Sequence, residues 1–222
     1  MILDPLMRRS ADSEAMLPYW DKVDALIDGI DGLRKAAEKY LPKFTDETPE
    51  EYKFRLQNTK ITNVYQDIVE GLSSKPFEQS VTFPDDQSDP AAGITPPDIL
   101  TFSYDVDGSG NNLTVFAAQT FYNGINNAID WIMVDYPPRD GSIRSVADQR
   151  ASGRRPYWTH VLARNVLKVE SKMVGGKEVL TYVKIFEPGS PDHIREFTNA
   201  ADKVTWKLSR RGDKVIHRDG QE

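Results

Sequence analysis

The sequence contains no cysteine among its 222 residues. This absence excludes a disulfide-bonded scaffold, a zinc site with thiolate ligands and a cysteine nucleophile, and it fits a reducing compartment. No run approaches the roughly 18 consecutive apolar residues that a membrane helix needs. Residues 1–5 show neither the basic nor the apolar region of a signal peptide. What remains is a composition typical of folded globular proteins, in a chain long enough for one large domain or two small ones.

The net charge of −6 conceals two oppositely charged halves. Residues 1–138 contain 11 Lys/Arg and 23 Asp/Glu, a net −12, and residues 139–222 contain 17 Lys/Arg and 11 Asp/Glu, a net +6. A basic half can face nucleic acid. The alternative is that the two halves attract each other, within one chain or between subunits. The sign split by itself favours this second interpretation.

Apolar side chains at helical spacing predict a helix over residues 13–41. Gly29 and Gly32 lie inside it and predict a break or bend, since each costs about 1 kcal/mol in a helix interior. Pro42 ends the run. Aspartates also recur on the other side of this helix, and we interpret them as a solvated or partner-facing acidic stripe. The stripe consists of Asp21, Asp24, Asp28 and Asp31.

A second helix is predicted from Thr48 to about Gly71. Thr48 can cap it, and Glu51 can complete a capping box. Its apolar stripe consists of Ile61, Val64, Tyr65, Ile68 and Leu72. Prolines and aspartates then predict a loop over residues 84–98. A third helix, capped by Asn111 or Asn112, leads into a buried strand over residues 131–134, which together suggest a small α/β layer.

From residue 156 onward the apolar period changes to two, which predicts successive strands. Gly175-Gly176 is a two-residue hairpin turn, and Arg211-Gly212-Asp213 is a second turn. We therefore predict an α+β fold with N-terminal helices, a small α/β layer and a C-terminal antiparallel β-meander. The predicted parts are a helical and α/β portion, a basic connecting segment and a β portion, over residues 1–138, 139–155 and 156–222.

The stretch from Asp105 to Gly110 resembles the opening of a calcium loop. Position twelve of such a loop is a bidentate glutamate, but Phe116 stands there. Gly108-x-Gly110 is a fragment of a phosphate-binding loop, yet the neighbouring aspartates would repel a phosphate. A tight turn before a capped helix is the favoured interpretation, and no metal or cofactor is expected.

The three histidines, His160, His193 and His217, have no partner at metal-ligand or catalytic spacing. We expect structural or solvent-exposed roles for them. Because no acid–base or nucleophile signature appears elsewhere, we expect that the chain is not an enzyme.

Arginines cluster between the predicted α/β layer and the sheet, interleaved with glycine and serine. They could contact a partner protein, remain solvated, or meet a nucleic-acid backbone. The charge pattern favours partner-protein contact. Stacking on single-stranded bases is not favoured, since there is little aromatic interleaving before Tyr157. The candidate binding residues are Arg139, Arg144, Arg150, Arg154 and Arg155.

Several short motifs, taken together and in order, resemble one family. They are Tyr19-Trp20, Asp28-Gly29, Tyr40-Leu41-Pro42, Glu51-Tyr52-Lys53 with Arg55, Asn63, Gly71-Leu72, Lys75-Pro76, the Asp107–Phe116 stretch, Val134-Asp135-Tyr136-Pro137 and Arg155-Pro156-Tyr157-Trp158. The set resembles the N-terminal, wing-like portion of portal proteins of tailed phages and prophages. The resemblance covers residues 14–209.

The resemblance implies a structural virion protein without catalytic residues, assembled in the host cytoplasm. Portal proteins form a dodecameric ring, the head–tail connector. Terminase packages double-stranded DNA through that ring, the DNA is later ejected through it, and the ring contacts capsid and tail adaptor proteins.

Members of this family are usually longer and include stem helices and a clip. The expectation here is therefore the wing part without stem and clip. The alternative is a stand-alone nucleic-acid or partner-protein binding module from a prophage, which would use the arginine cluster. An unrecognised enzyme is the least favoured hypothesis.

Overall fold

The computed structural model has the α+β architecture that the sequence predicts. It describes residues 5–82, 97–137, 145, 148, 152–200, 203–210 and 215–218. The helices are α1 (Ala11–Ile27), α2 (Gly29–Ala36), α3 (Pro49–Asn58), α4 (Val64–Ser74), α5 (Pro97–Ser103) and α6 (Leu113–Asn127). The strands are β1 (Trp131–Asp135), β2 (Tyr157–Val161), β3 (Val166–Val174), β4 (Lys177–Glu187), β5 (Ser190–Ala200), β6 (Lys203–Arg210) and β7 (Val215–Arg218).

The chain divides into two compact units that do not coincide with the divisions predicted at residues 138 and 155. The first unit combines Met1–Ile68 with Leu162–Glu222, and the second is Val69–Val161. The N-terminal helices belong with the C-terminal sheet because α1 begins against β3. There the amide of Ser10 donates to the carbonyl of Leu167 over 2.8 Å.

In the first unit, the predicted break in the N-terminal helix separates α1 from α2 and lies at Gly29. Gly29 has a φ of +64°, a conformation that glycine adopts without the steric cost of a side chain. Gly32 then passes so close to α1 that a Cβ atom there would clash with the Ala25 carbonyl oxygen. The two glycines therefore permit both the turn and the close packing after it.

The predicted helix over residues 48–71 is wrong as a single element. The capping box is present, since Glu51 N donates to Thr48 Oγ1 and the Glu51 carboxylate accepts from Thr48 N. However, α3 ends at Asn58 and Thr59 is extended, with φ −60° and ψ 136°. A separate helix, α4, begins at Val64. Residues 59–63 are thus a connection between two helices.

Asn63 explains why a second helix begins here. Its Oδ1 accepts a hydrogen bond from Gln66 N over 3.2 Å, which gives a partner to a backbone amide in the first turn of α4. Its Nδ2 donates to the carbonyl of Leu26 over 2.6 Å, near the end of α1. The Asn63 side chain therefore forms hydrogen bonds with backbone groups at the ends of two helices, α1 and α4.

The five-stranded sheet of the first unit has the order β3-β4-β5-β6-β7, with antiparallel neighbours throughout. Gly175 and Gly176 form the predicted hairpin turn, with φ values of +56° and +79°. The predicted meander is confirmed for these strands. The turn predicted at residues 211–213 lies outside the described residues.

The second unit contains a two-stranded antiparallel sheet, β1 with β2. Placing β2 in the C-terminal meander was therefore wrong, because its partner lies earlier in the chain. The predicted burial of β1 was also wrong, since Ile132 and Val134 are exposed. Asn112 caps α6 as predicted, its Oδ1 accepting from Val115 N over 2.9 Å.

The core of the second unit is organised around Trp158. Its ring lies edge-on to Phe102, with centroids 5.2 Å apart, and 5.7 Å from Phe116. Phe102 belongs to α5, which begins at Pro97, inside the loop predicted over residues 84–98. Residues 84–96 of that prediction lie outside the described residues. Because Phe116 belongs to α6, the indole of Trp158 joins α5 and α6 to β2.

We expect Asn63→Ala to lower the free energy of unfolding by about 1–2 kcal/mol, because both a helix cap and a half-buried hydrogen bond are lost. Urea denaturation measures the change. Asn58→Ala is the matched control, since the Asn58 amide donates only within its own helix, to Phe54. Equal losses in the two variants would contradict the joint role of Asn63.

Candidate functional site

Two of the five predicted arginines lie in the described part of the chain, and both are bonded to the second unit itself. Arg154 Nη2 donates to the carbonyl of Pro137 over 3.0 Å. Arg139, Arg144 and Arg150 lie outside the described residues. A binding role for the cluster stays a prediction.

Arg155 is a structural crosslink. Its Nη2 lies 2.7 Å from Asp105 Oδ2 and also donates to the Asp105 carbonyl, and its guanidinium lies 5.5 Å from the centroid of Phe102. The guanidinium is therefore engaged by a carboxylate, a carbonyl and an aromatic ring. Sequence reasoning missed this role because the partner lies fifty residues earlier in the chain.

The stretch from Asp105 to Gly110 is a tight turn, as favoured from the sequence. The Asp107 carboxylate accepts from Ser109 N over 2.9 Å, and from the amide and side chain of Asn111 over 3.2 and 2.7 Å. Burial opposes ionisation of Asp107, but these hydrogen bonds outweigh it and lower its pKa. Within the described residues, no cluster of three His, Asp or Glu side chains could hold a metal ion.

An open cleft of about 390 Å³ lies beside this turn. Its walls are formed by Asp105, Asp107, Gly108, Pro137, Gly153, Arg155 and Tyr157. The charged groups in these walls are already bonded to one another or to the turn. These contacts account for the three charged side chains in the walls of the cleft.

An Asp–His pair that the sequence did not reveal lies elsewhere in the second unit. His160 Nε2, on β2, contacts Asp130 Oδ2, just before β1. The Asp130 side chain is 3% exposed, and Asn123 Nδ2 lies 3.5 Å from the same ring nitrogen. Neither His160 nor Asp130 lines the cleft. The pair joins the end of α6 to the two-stranded sheet.

The other two histidines lie in the sheet of the first unit. His193 is on β5, and its Nδ1 is buried with no hydrogen-bond partner among the described residues. His217 is on β7, and its side chain lies outside the described part of the chain.

The acidic stripe is only partly solvated. Arg164, from the basic half, lies 3.3 Å from Asp21 and 2.8 Å from Asp24, and Lys39 lies 2.9 Å from Asp21. The hydrogen bond from Lys39 lowers the pKa of Asp21, whereas burial raises the pKa of Asp24 despite Arg164. At this point the two charged halves attract each other within one chain.

A buried acidic group lies in the five-stranded sheet. Glu196 accepts a hydrogen bond from Tyr182 and forms an ion pair with Lys207 over 2.9 Å. Burial opposes ionisation of Glu196, but these bonds outweigh it and lower its pKa. Burial, together with the Glu196 carboxylate, raises the pKa of Tyr182. The cluster stabilises the ionised carboxylate and is a structural feature of the sheet.

The motif around Glu51-Tyr52-Lys53 and Arg55 is also structural. Tyr52 donates its hydroxyl to the Leu41 carbonyl over 3.0 Å. Arg55 pairs with Glu47 over 2.7 Å, donates to the Pro42 carbonyl over 2.9 Å and lies 4.4 Å from the centroid of Phe44. The motif therefore holds residues 41–48 against α3.

The most distinctive surface property is exposed apolar area. Among the described residues, 21 large hydrophobic side chains are exposed, against 13 hydrophobic residues that are buried. Where exposed apolar side chains form contiguous patches, such patches mark interaction surfaces. The most exposed aliphatic and aromatic examples are Tyr19, Phe44, Phe54, Val64, Tyr104, Val134, Met173 and Val204.

No family model matches the chain, and no curated protein matches it. None of the helices in the described residues is long and apolar enough to span a bilayer.

We expect Arg155→Ala to reduce stability by about 1–3 kcal/mol, since it removes hydrogen bonds to a carboxylate and a carbonyl. Arg154→Ala, which removes one bond to a carbonyl, is the matched control and should cost less. Urea denaturation and a filter-binding titration with duplex DNA distinguish the roles. Unchanged stability with lost DNA binding would contradict the structural assignment.

We expect stability to fall on acidification in a way that depends on Glu196. Because its pKa is lowered by folding, its contribution is present above the unfolded value of about 4.3 and is lost as pH falls through the folded pKa. Glu196→Gln should flatten the loss between roughly pH 5 and 3. The exposed Glu50→Gln variant should not. Identical pH profiles for wild type and Glu196→Gln in thermal denaturation would refute this.

Proposed function

We propose that this chain is a structural virion protein that resembles the wing portion of a phage portal and acts by assembling. The observation that carries the proposal is the excess of exposed over buried large apolar side chains among the described residues. A subunit of a permanent assembly keeps such area for its neighbours, because obligate interfaces are more hydrophobic than ordinary surface.

The roles of the motif residues support the same proposal. Asn63, Tyr52, Arg55 and Arg155 bind backbone carbonyls or neighbouring side chains of their own unit. A protein selected for a site would use some of its distinctive polar residues on a ligand. Here they maintain the shape of two units, which is what a structural subunit requires.

In the proposed role the chain forms part of a dodecameric head–tail connector. Its partners would be further copies of itself, terminase, capsid and tail adaptor proteins, with double-stranded DNA passing through the channel. No catalytic residue and no cofactor is part of the proposal. Its place would be the virion, after assembly in the host cytoplasm.

Opposite charges supply a second contribution to assembly. The acidic half and the basic half of different copies can attract each other, in addition to the pairing of Arg164 with Asp21 and Asp24 inside one chain. Such attraction is screened over about 10 Å at 0.1 M salt and over about 3 Å at 1 M. The assembly is therefore expected to be tighter at low salt.

We expect light scattering of the purified chain at low salt and high concentration to give a mass well above the 25.1 kDa of one copy. The mass should decrease as salt rises. Circular dichroism at each salt concentration controls for unfolding. A constant mass of one copy at every salt and protein concentration would overturn the proposal.

A further inference from the structure

The hydrogen-bond pattern of the two-stranded sheet determines which backbone groups of β1 face outward. The amide of Trp158, on β2, donates away from β1, to the Val106 carbonyl over 2.8 Å. Opposite residues in an antiparallel pair alternate between hydrogen-bonded and non-hydrogen-bonded pairs. Trp158 and its partner Val134 are therefore a non-hydrogen-bonded pair, and so are His160 and Ile132, two residues along the strands.

The outer edge of β1 consequently carries the backbone N–H and C=O groups of Ile132 and Val134. Those of Met133 point inward, to its partner Thr159 on β2. On the outer side, neither Ile132 nor Val134 forms a backbone hydrogen bond with any residue that the structure describes. The outer edge of β2, by contrast, is already used where Trp158 donates to Val106. The free edge of β1 can therefore accept a further strand.

The side chains at this edge extend the apolar layer around Trp158. Val134 lies opposite Trp158 in the register, and opposite residues share one face of a sheet, as does Ile132 two residues before Val134. The Trp158 ring packs on Phe102 and Phe116, but Ile132 and Val134 are 44% and 66% exposed. A sheet of two strands is marginal alone, and added strands with a shared apolar face stabilise it.

The edge is self-complementary in one orientation and one register. Parallel pairing of two β1 strands would place the Asp135 carboxylates side by side, which is destabilising, whereas antiparallel pairing places each beside Trp131 of the other copy. The register that pairs every residue of β1 sets Ile132 opposite Val134 of the other copy. A shift of two residues would instead use Asp130 or Tyr136, which lie outside β1.

We infer that two copies of the chain pair through β1, antiparallel, with Met133 of both copies at a two-fold axis. Ile132 and Val134 of one copy exchange backbone hydrogen bonds with Val134 and Ile132 of the other. The two-stranded sheets then merge into one four-stranded sheet of order β2-β1-β1-β2. Such a contact closes at two copies and builds no ring, so the inference goes beyond the proposed function and does not depend on it.

Disulfide trapping tests the register, because the chain has no cysteine of its own. Two copies of Met133→Cys would form a non-hydrogen-bonded pair with Cα atoms about 4.5 Å apart, which a disulfide can join. Val134→Cys is the matched control: Val134 is exposed, but its two copies would be diagonal neighbours about 7–8 Å apart, too far for a disulfide. Mild oxidation and a non-reducing gel should show a covalent dimer of Met133→Cys in clear excess over that of Val134→Cys.

Proline at the free edge gives an independent measurement. Val134→Pro removes an amide that points outward, so it blocks the contact while β1 stays paired with β2. Light scattering at about 1 M salt, where attraction between charges is screened, should give twice the 25.1 kDa of one copy for the wild type at high concentration. Val134→Pro should weaken this dimer by about tenfold or more, since each copy loses a hydrogen bond. Val134→Thr, which keeps the amide and the side-chain shape, should retain most of the association.

The outcomes separate this contact from the proposed function. A larger mass at low salt that falls to one copy at about 1 M salt overturns the contact and leaves the proposed assembly intact. A dimer that resists salt and grows no larger at low salt supports the contact and overturns the proposed assembly. A Val134→Cys control that crosslinks as readily as Met133→Cys, or a Val134→Pro variant that dimerises like the wild type, overturns the contact. If circular dichroism shows that Val134→Pro is unfolded, the crosslinking result decides.

Discussion

The Asn63 side chain is the constraint on which the arrangement of the N-terminal helices depends. Its Nδ2 holds the Leu26 carbonyl near the end of α1, and its Oδ1 holds Gln66 N in the first turn of α4. Gly29 and Gly32 then allow α2 to turn back closely on α1. Without the amide, two helix ends would lose partners at once, since helix termini leave backbone groups unsatisfied.

In both units, arginine side chains likewise bind backbone groups at helix ends and in loops. Arg34 donates to the carbonyls of Leu56, Gln57 and Thr59, which satisfies the end of α3. Arg55 donates to the Pro42 carbonyl, and Arg155 donates to the Asp105 carbonyl. Each guanidinium offers several donors in a fixed plane, and each uses them on backbone carbonyls of irregular segments. These hydrogen bonds fix the conformation of loops that have no hydrophobic core of their own.

Local signals in the sequence predicted several features whose controlling contact is local, although the cap of Asn63 on Gln66 N, also local, was missed. The capping box of Thr48 and Glu51, the cap at Asn112 and the Gly175-Gly176 turn all act within three or four residues. Contacts between distant residues could not be predicted in this way. Neither periodicity nor spacing indicates that β2 pairs with β1, or that a guanidinium near Trp158 closes on Asp105.

The candidate sites divide along the same line. The residue types in the sequence were sufficient to identify Arg154, Arg155 and the Asp105–Gly110 stretch as candidate-site residues. Their roles could not, because Arg155 neutralises a carboxylate of the very turn that resembled a metal loop. The Asp130–His160 pair was missed because its members are thirty residues apart and follow no motif. The exposure of Val64, Ile68 and Leu72 on α4 is likewise a property of packing, since an apolar stripe alone predicts burial.

The two-stranded sheet has a consequence for handling the protein. Trp131–Asp135 forms a strand with regular register, no proline, no lysine and only one charge, and β2 covers only one of its edges within the described residues. Natural edge strands usually carry a proline, a lysine or another charged residue that prevents pairing with other chains. Within the described residues this strand therefore presents an unpaired edge without such protection, and we expect the yield of soluble protein to depend on how quickly that edge is occupied.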